Sequence, residues 1–175
     1  MLTHADNVPR RKTWRNRALP LLLFIIAIAG ILGWQQFYMV SRIAPPLVGV
    51  KIDGSAYALP TKPAQSVLVH FWATWCLPCL TEQDSIEAIA HDHPNTITVA
   101  MRSGSDMIVS QHMVRQGLHF AVLNDPDGRI SAAWGVHAIP ASFIISPDGK
   151  IRFVEVGLTS NFALRWRLWL AVLLG

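Results

Sequence analysis

Two cysteines three residues apart, Cys76 and Cys79 in the segment FWATWCLPC, are the only cysteines in the 175-residue chain. A Cys-x-x-Cys pair can exchange disulfides, supply half of a zinc site or form a structural disulfide, so the spacing alone does not decide. A closed zinc site needs four ligands, and the chain has no second cysteine pair. A structural disulfide here would close a very short loop and constrain the unfolded chain little. Two thiolates could hold Cu(I), so copper binding or copper transfer is the alternative function.

The neighbouring segments predict where the cysteines lie. SVLVHFW at residues 66–72 and TITVAM at residues 96–101 read as buried strands, separated by a helix from about Leu77 to Ala90. In this β-α-β unit, Cys76 falls at the helix N-terminus and Cys79 one turn further on the same face. Unpaired N–H groups and the positive end of the helix dipole favour the Cys76 thiolate, which is the nucleophilic form.

The rest of the chain predicts an α/β domain. VGVKIDGSAYALP reads as a hairpin around Asp53 and Gly54, and a second helix runs from Ser105 as N-cap to Gln116, stopped by Gly117. The remaining expected elements are a strand at FAVL (120–123), a turn at 126–128, the strands SFIIS (142–146) and IRFVEV (151–156) joined by a turn at 147–149, and a last helix from Ser160 or Asn161 that packs on the sheet.

An uncharged, mainly apolar run from Ala18 to Val40 predicts a transmembrane helix. Basic residues are concentrated before it, so the positive-inside rule places the N-terminus in the cytoplasm. The expected organisation is a basic cytoplasmic flank at 1–17, an anchor at 18–40 and an exported domain at 41–175. The alternative is a signal peptide cleaved at AIAG (27–30), but the apolar run continues past that point.

The net charge of +4 lies entirely in the first 40 residues, which contain five basic side chains and one acidic side chain. Residues 41–175 contain ten of each sign. The excess basic residues are therefore expected to orient the anchor in the membrane and to attract anionic lipid. We expect no nucleic-acid partner.

VHFWATWCLPC resembles the active-site segment of the thioredoxin superfamily, in its membrane-anchored TlpA-like branch. WGVHAIPASFIISPDGKI is similar to the cis-proline loop, strand and turn of that family, and Glu82 matches an acidic residue that many TlpA-like members have. With the basic flank and anchor, the chain resembles the suppressor of copper sensitivity protein D group. The resemblance implies a thioredoxin-like fold, with a central mixed sheet flanked by helices.

The resemblance also implies roles for single residues. Cys76 would be the attacking thiol, Cys79 the resolving thiol, and Pro140 after Ile139 the cis-proline that faces them. Trp75 would flank the site and help to hold the substrate chain.

Two further residues have a functional and a structural interpretation. His70 stands where thioredoxin has a buried aspartate, and it either tunes the thiols or is a core histidine. Glu82 either acts at the site or favours the first turn of the helix by its charge. Four other residues are expected to be structural: Trp134 and Trp166 as core or surface residues, and His91 with His93 at a solvated helix end.

The expected function is a thiol:disulfide oxidoreductase in the bacterial inner membrane, single-pass, with its catalytic domain in the periplasm. The implied partners are protein thiol or disulfide substrates and a membrane electron donor of the DsbD type. No metal and no cofactor beyond the cysteine pair are expected. The reducing direction is favoured, because Leu77-Pro78 and Ile139 resemble the corresponding residues of thioredoxin.

Overall fold

The computed structural model describes Pro20, Leu23, Phe24 and residues 42–175. The chain divides into two units, Met1–Tyr38 and Met39–Gly175. In the first unit the three described residues are helical and exposed. The rest of the predicted anchor at 18–40 lies outside the described residues. Among the residues described, no helix is both long enough and apolar enough to cross a bilayer.

The second unit alternates strands and helices, and the predicted α/β class is confirmed. Its elements in chain order are β1 (Val48–Val50), β2 (Ala56–Ala58), β3 (Val67–Trp72), α1 (Leu77–Asp92), β4 (Thr96–Met101), α2 (Asp106–Gln116), β5 (Val122–Asp125), α3 (Arg129–Ala133), β6 (Ala141–Ile145), β7 (Ile151–Val156) and α4 (Asn161–Leu173).

Five strands form a mixed sheet in the order β5-β4-β3-β6-β7. β3 is parallel to β4, which is parallel to β5, whereas β6 is antiparallel to both β3 and β7. All six residues of β3 are buried, as expected for a central strand covered on both faces. β1 and β2 form the predicted hairpin as a separate two-stranded sheet, and its turn contains Gly54 at φ 85°.

Side chains of β3 alternate between two cores. Leu68 and Trp72 share one core with both cysteines and with the inner faces of α1, α2 and α4. Val69 and Phe71 belong to the other core, where Phe71 contacts the rings of Trp134 and Phe143. Because α1 is held over the first core, the sheet fixes the position of the helix that begins at the cysteines.

Most predicted elements are confirmed with bounds that differ by at most two residues, and the strand expected at FAVL is shifted as a whole by two residues. β5 begins at Val122 and not at Phe120. The backbone N–H groups of His119 and Phe120 donate instead to the Glu87 carboxylate on α1, at 2.8 and 3.1 Å. These two residues therefore join β5 to α1 before the strand begins.

Helix α3 was not predicted. Its first turn is held by the buried Asp125 carboxylate, which accepts hydrogen bonds from the N–H groups of Ile130 and Ser131 at 3.0 and 2.8 Å. The expected turn at 126–128 immediately precedes the helix, and Gly128 has φ 74°. This helix leads into the loop that contains Pro140.

The cysteines and the point where the chain enters the domain lie at opposite ends of the sheet. Cys76 follows the C-terminal end of β3, where Phe71 pairs with Ala141 at the start of β6. The chain enters the domain at the opposite end, where Ile151 donates its N–H to the Arg42 carbonyl at 2.9 Å. The separation corresponds to the length of a strand, roughly 15–20 Å.

Candidate active site

Cys76 and Cys79 form a disulfide at the start of α1. Cys76 is the N-cap residue, and its Sγ accepts the backbone N–H of Cys79 at 3.2 Å. Pro78 occupies the first turn, where its missing N–H removes no intrahelical bond. The predicted placement of the pair at the helix N-terminus is confirmed. In the reduced protein, the same N–H and the helix dipole favour negative charge on Cys76.

Both cysteines are nearly buried. In the disulfide form only 4% of Cys76 is exposed, against 1% of Cys79. Trp75 and Leu77 on either side of Cys76 are 62% and 75% exposed. A partner thus meets an apolar surface with the disulfide recessed in it, because the neighbouring side chains project further than the sulfurs.

The loop before β6 closes one side of the disulfide. The Ile139–Pro140 peptide bond is cis, as expected from the resemblance. The Ile139 carbonyl oxygen lies 3.8 Å from Cys76 Sγ, and Pro140 accepts the N–H of Gly157 at 2.8 Å. The structure therefore brings Cys76, Cys79, Ile139 and Pro140 together.

Trp75 is held by Arg102, a residue for which the sequence provides no signal. Its indole N–H donates to the Arg102 carbonyl at 3.0 Å. Arg102 has φ 46°, and it is the only non-glycine residue with positive φ in the described part of the chain. An arginine gives no sequence signal for this conformation, which glycine or asparagine would have given. The adjoining Ser103 hydroxyl accepts the N–H of Thr74 at 3.0 Å and supports the same segment.

His70 lies in the strand that precedes the cysteines and is 3% exposed. Its Nδ1 is 2.9 Å from the Ser142 hydroxyl on β6. Alternation along β3 puts His70 on the face of Leu68 and Trp72, the face that also packs against the cysteines. Burial lowers the pKa of His70 to about 3, so the ring is neutral at neutral pH.

Glu82 is buried, and the interpretation that its charge favours the first turn of the helix is wrong. α1 begins at Leu77, so Glu82 lies in its second turn, and the first turn contains no acidic residue. Only 3% of Glu82 is exposed, Oε1 accepts the Thr159 N–H at 3.3 Å, and Oε2 has no hydrogen-bond partner. Burial raises the pKa of Glu82 to about 7. Cys79 and Glu82 are both buried and three residues apart, so they lie on the same face of α1.

The remaining sequence candidates lie elsewhere. Trp134 is buried in the second core, and Trp166 is half exposed on α4. His91 is exposed, but His93 is not simply solvated, because its Nε2 is 2.8 Å from the Ser66 carbonyl oxygen. Across the described residues, no group of three or more His, Cys, Asp or Glu side chains could hold a metal ion.

Residues 40–162 match the Redoxin family. The chain belongs to the Redoxin family. Its relatives include a thioredoxin-like protein of Haemophilus influenzae, 29% identical over 166 residues that cover 94% of this chain and 98% of the relative. The thiol-disulfide oxidoreductase ResA of Bacillus thuringiensis is 27% identical over 149 residues, which cover 78% of this chain and 86% of the relative.

Solved structures agree with the fold of this Redoxin-family chain. A thioredoxin-family thiol:disulfide interchange protein from Chlorobium tepidum superposes with a TM-score of 0.65 at 24% identity, covering 75% of this chain and 96% of that structure. StoA from Bacillus subtilis superposes with a TM-score of 0.61 at 25% identity, covering 70% and 97%. The predicted thioredoxin-like fold, a mixed sheet flanked by helices, is confirmed for the domain.

Proposed function

We propose that this Redoxin-family chain is a membrane-tethered periplasmic thiol:disulfide oxidoreductase that works in the reducing direction. The observation that carries the oxidoreductase part of the proposal is the Cys76–Cys79 disulfide at the N-terminus of α1, with the Cys79 N–H directed at Cys76 Sγ. The names of its relatives support the class of reaction, since ResA is a thiol-disulfide oxidoreductase. Its substrates would be protein disulfides, and its only redox group would be the cysteine pair.

In the proposed reaction, the reduced pair transfers two electrons to a substrate disulfide. The Cys76 thiolate attacks one substrate sulfur, a mixed disulfide forms, and the other substrate sulfur leaves as a thiolate that takes up a proton. Cys79 then loses its proton and attacks Cys76 Sγ. The mixed disulfide breaks, the second substrate thiol is released, and the Cys76–Cys79 disulfide remains.

Glu82 is the proposed acceptor of the Cys79 proton. Its pKa of about 7 lets it exchange a proton near neutral pH, and it shares a helix face with Cys79. His70 is a poorer candidate, because a ring with a pKa of about 3 binds a proton too weakly at neutral pH. We propose that Trp75 and Ile139 flank the bound substrate chain.

Two arguments support the reducing direction. Leu77-Pro78 and Ile139 resemble the corresponding residues of thioredoxin, whose potential is about −270 mV, against about −120 mV for the oxidant DsbA. A protonated His70 would have stabilised the Cys76 thiolate and favoured oxidation of substrates, but burial keeps the ring neutral. A reductant in an oxidising compartment must be reduced again, so we propose a membrane donor of the DsbD type.

A redox titration of the full chain against glutathione, together with the state of the pair in cells, tests the direction. We expect a potential closer to about −270 mV than to about −120 mV and a pair that is mostly reduced in cells. A potential near that of DsbA, with a mostly oxidised pair, would contradict the reducing direction. A Cys79→Ala variant should trap substrates as mixed disulfides, and the matched Cys76→Ala variant should not.

A further inference from the structure

Helix α4 is apolar on two opposite faces. Its inner face packs into the core through Leu164, Leu168 and Ala171. Its outer face exposes four residues that we name the aromatic stripe, with exposed fractions of 77%, 52%, 52% and 64%: Phe162, Trp166, Trp169 and Leu173. Their spacing of four, three and four residues puts them on one side of a helix. A helix that packs against only its own domain does not require this second apolar face.

Two members of the aromatic stripe are in direct ring contact. The rings of Trp166 and Trp169 stack with their centroids 4.8 Å apart and an interplanar angle of 29°. Single exposed apolar residues are common, but an ordered apolar patch of this kind marks an interaction surface. The stripe belongs to α4, whereas Trp75 and Leu77 adjoin the disulfide at the start of α1.

The chemistry of α4 suits a lipid surface better than a protein surface. Tryptophan is enriched where lipid headgroups meet the acyl chains, because its ring is apolar and its N–H is polar. α4 contains Arg165 and Arg167 and no acidic residue, so the helix itself adds no negative charge that would repel anionic headgroups. Both arginines also form ion pairs within the domain, with Asp92 and Glu155. The helix is therefore fixed to the domain while its outer face is available to lipid.

The position of α4 supports the same partner. Arg42 is the first residue described after the predicted anchor, and its carbonyl accepts the N–H of Ile151. Arg152, which follows Ile151 in β7, donates a guanidinium N–H to the Leu174 carbonyl at the end of α4, at 2.6 Å. Two adjacent residues of β7 thus bind Arg42, where the chain enters the domain, and Leu174, at the C-terminal end of α4. A 13-residue helix is about 20 Å long, so the stripe extends roughly that far along α4 from the end that Arg152 holds.

We propose that the aromatic stripe lies in the interfacial layer of the bilayer that holds the anchor. The inference rests on the proposed membrane tethering. α4 would then lie on the membrane surface, and the domain would have a fixed orientation on it.

Fluorescence quenching by lipids in full-length protein tests the inference. Cys76 and Cys79 are replaced by serine, and a polarity-sensitive fluorophore is attached to one new cysteine in each of four variants: Trp169→Cys, Leu173→Cys, Val114→Cys and Ile31→Cys. Val114 is the matched control, because it is 78% exposed on α2, away from the stripe. Each variant is reconstituted in vesicles of zwitterionic and anionic phospholipid with a quencher attached near the headgroup or deep in the acyl chain.

We expect the labels at 169 and 173 to emit at shorter wavelength and to lose more emission to the shallow quencher than to the deep one, because an interfacial helix lies at the boundary between headgroups and acyl chains. The label at 114 should keep its emission, and the label at 31 should respond most to the deep quencher. Near-ultraviolet circular dichroism checks the fold of each variant. Leu173→Cys, in the exposed last turn, decides the test if Trp169→Cys does not fold.

Three outcomes would overturn the inference. Quenching at 31 without quenching at 169 and 173 would show that the stripe does not contact lipid although the anchor lies in the bilayer. No quenching at 31 would contradict the proposed membrane anchor, and the inference that rests on it would also be wrong. A shift to shorter wavelength at 169 and 173 without lipid quenching would show that protein, such as a second copy of the chain, covers the stripe.

Discussion

Cys76 and Cys79 differ in their surroundings although only two residues separate them. Cys76 Sγ accepts the Cys79 N–H at the positive end of α1, whereas Cys79 lies one turn inside the helix. After reduction, we expect the Cys76 pKa to lie below the ordinary thiol value of about 8.5 and Cys76 to be alkylated before Cys79. Mass spectrometry of a timed iodoacetamide reaction would measure the order. Faster modification of Cys79 would contradict the assigned roles.

The burial of Glu82 has a cost that depends on pH. The pKa is raised from 4.5 to about 7, so the folded protein binds this proton more tightly than the unfolded chain does. Below about pH 4.5 Glu82 is protonated in both states. Above that, the contribution of Glu82 to the free energy of unfolding should fall as the pH rises towards about 7, by roughly 3 kcal/mol in all, and it opposes the contribution of His70 described below.

The variant Glu82→Gln should remove this fall, and Asp84→Asn, an exposed change on the same helix, should keep it. Urea denaturation of the oxidised protein from pH 4 to 8 measures the difference, since the disulfide keeps the thiols from titrating. An unchanged slope in Glu82→Gln would assign the pH dependence to another group.

The burial of His70 should lower the free energy of unfolding at acidic pH. Its pKa is lowered from 6.5 to about 3, so the ring is neutral in both states above about pH 6.5. As the pH falls from about 6.5 towards about 3, the unfolded chain takes up the proton first and stability is lost. His70→Asn should flatten this limb of the stability curve, and the exposed control His91→Asn should not. The same loss in both variants would contradict the prediction.

At the scale of elements, the link from β5 to the loop of Pro140 depends on Asp125. This buried carboxylate accepts the N–H groups of Ile130 and Ser131 and the Ser131 hydroxyl, the last at 2.7 Å. Asp125→Ala would leave these three donors of α3 without their partner, at a cost of about 2–4 kcal/mol. Chemical denaturation would measure the loss.

Asp127→Ala is the matched control for Asp125→Ala. Asp127 is two residues away, is exposed, and forms an ion pair with Arg129 at the surface. We expect its removal to change stability by less than about 1 kcal/mol. Equal losses in the two variants would show that Asp125 does not hold α3 in the way described.

Elements with local signals could be predicted from the sequence, and those that depend on distant contacts could not. Gly117 ends α2 in the left-handed conformation, and the Ser160 hydroxyl caps α4, as their residue types indicate. The start of β5 depends on Glu87, more than 30 residues earlier in the chain. The same holds within the site: the cysteine pair was evident, but its low exposure and the conformation of Arg102 depend on tertiary contacts.

At the scale of the whole molecule, the arrangement in the membrane is a prediction. The apolar run continues past the possible cleavage site at AIAG, so we expect the mature protein to keep its N-terminus and to fractionate with the membrane. Protease added to the periplasmic side should digest residues 45–175, and it should do so only after the outer membrane is opened. An N-terminal sequence that begins at Gly30 would instead show a cleaved signal peptide.

The opposite ends of the sheet have a consequence for how the protein meets its partners. Arg42 binds at one end and the disulfide lies at the other, so a tethered domain carries its sulfurs roughly one strand length, 15–20 Å, from the attachment point. A donor in the same bilayer would then encounter the disulfide by lateral diffusion, at a local concentration set by this short reach. The rate of re-reduction should therefore follow the number of donor molecules per unit area of membrane, and dilution of the cells should leave it unchanged.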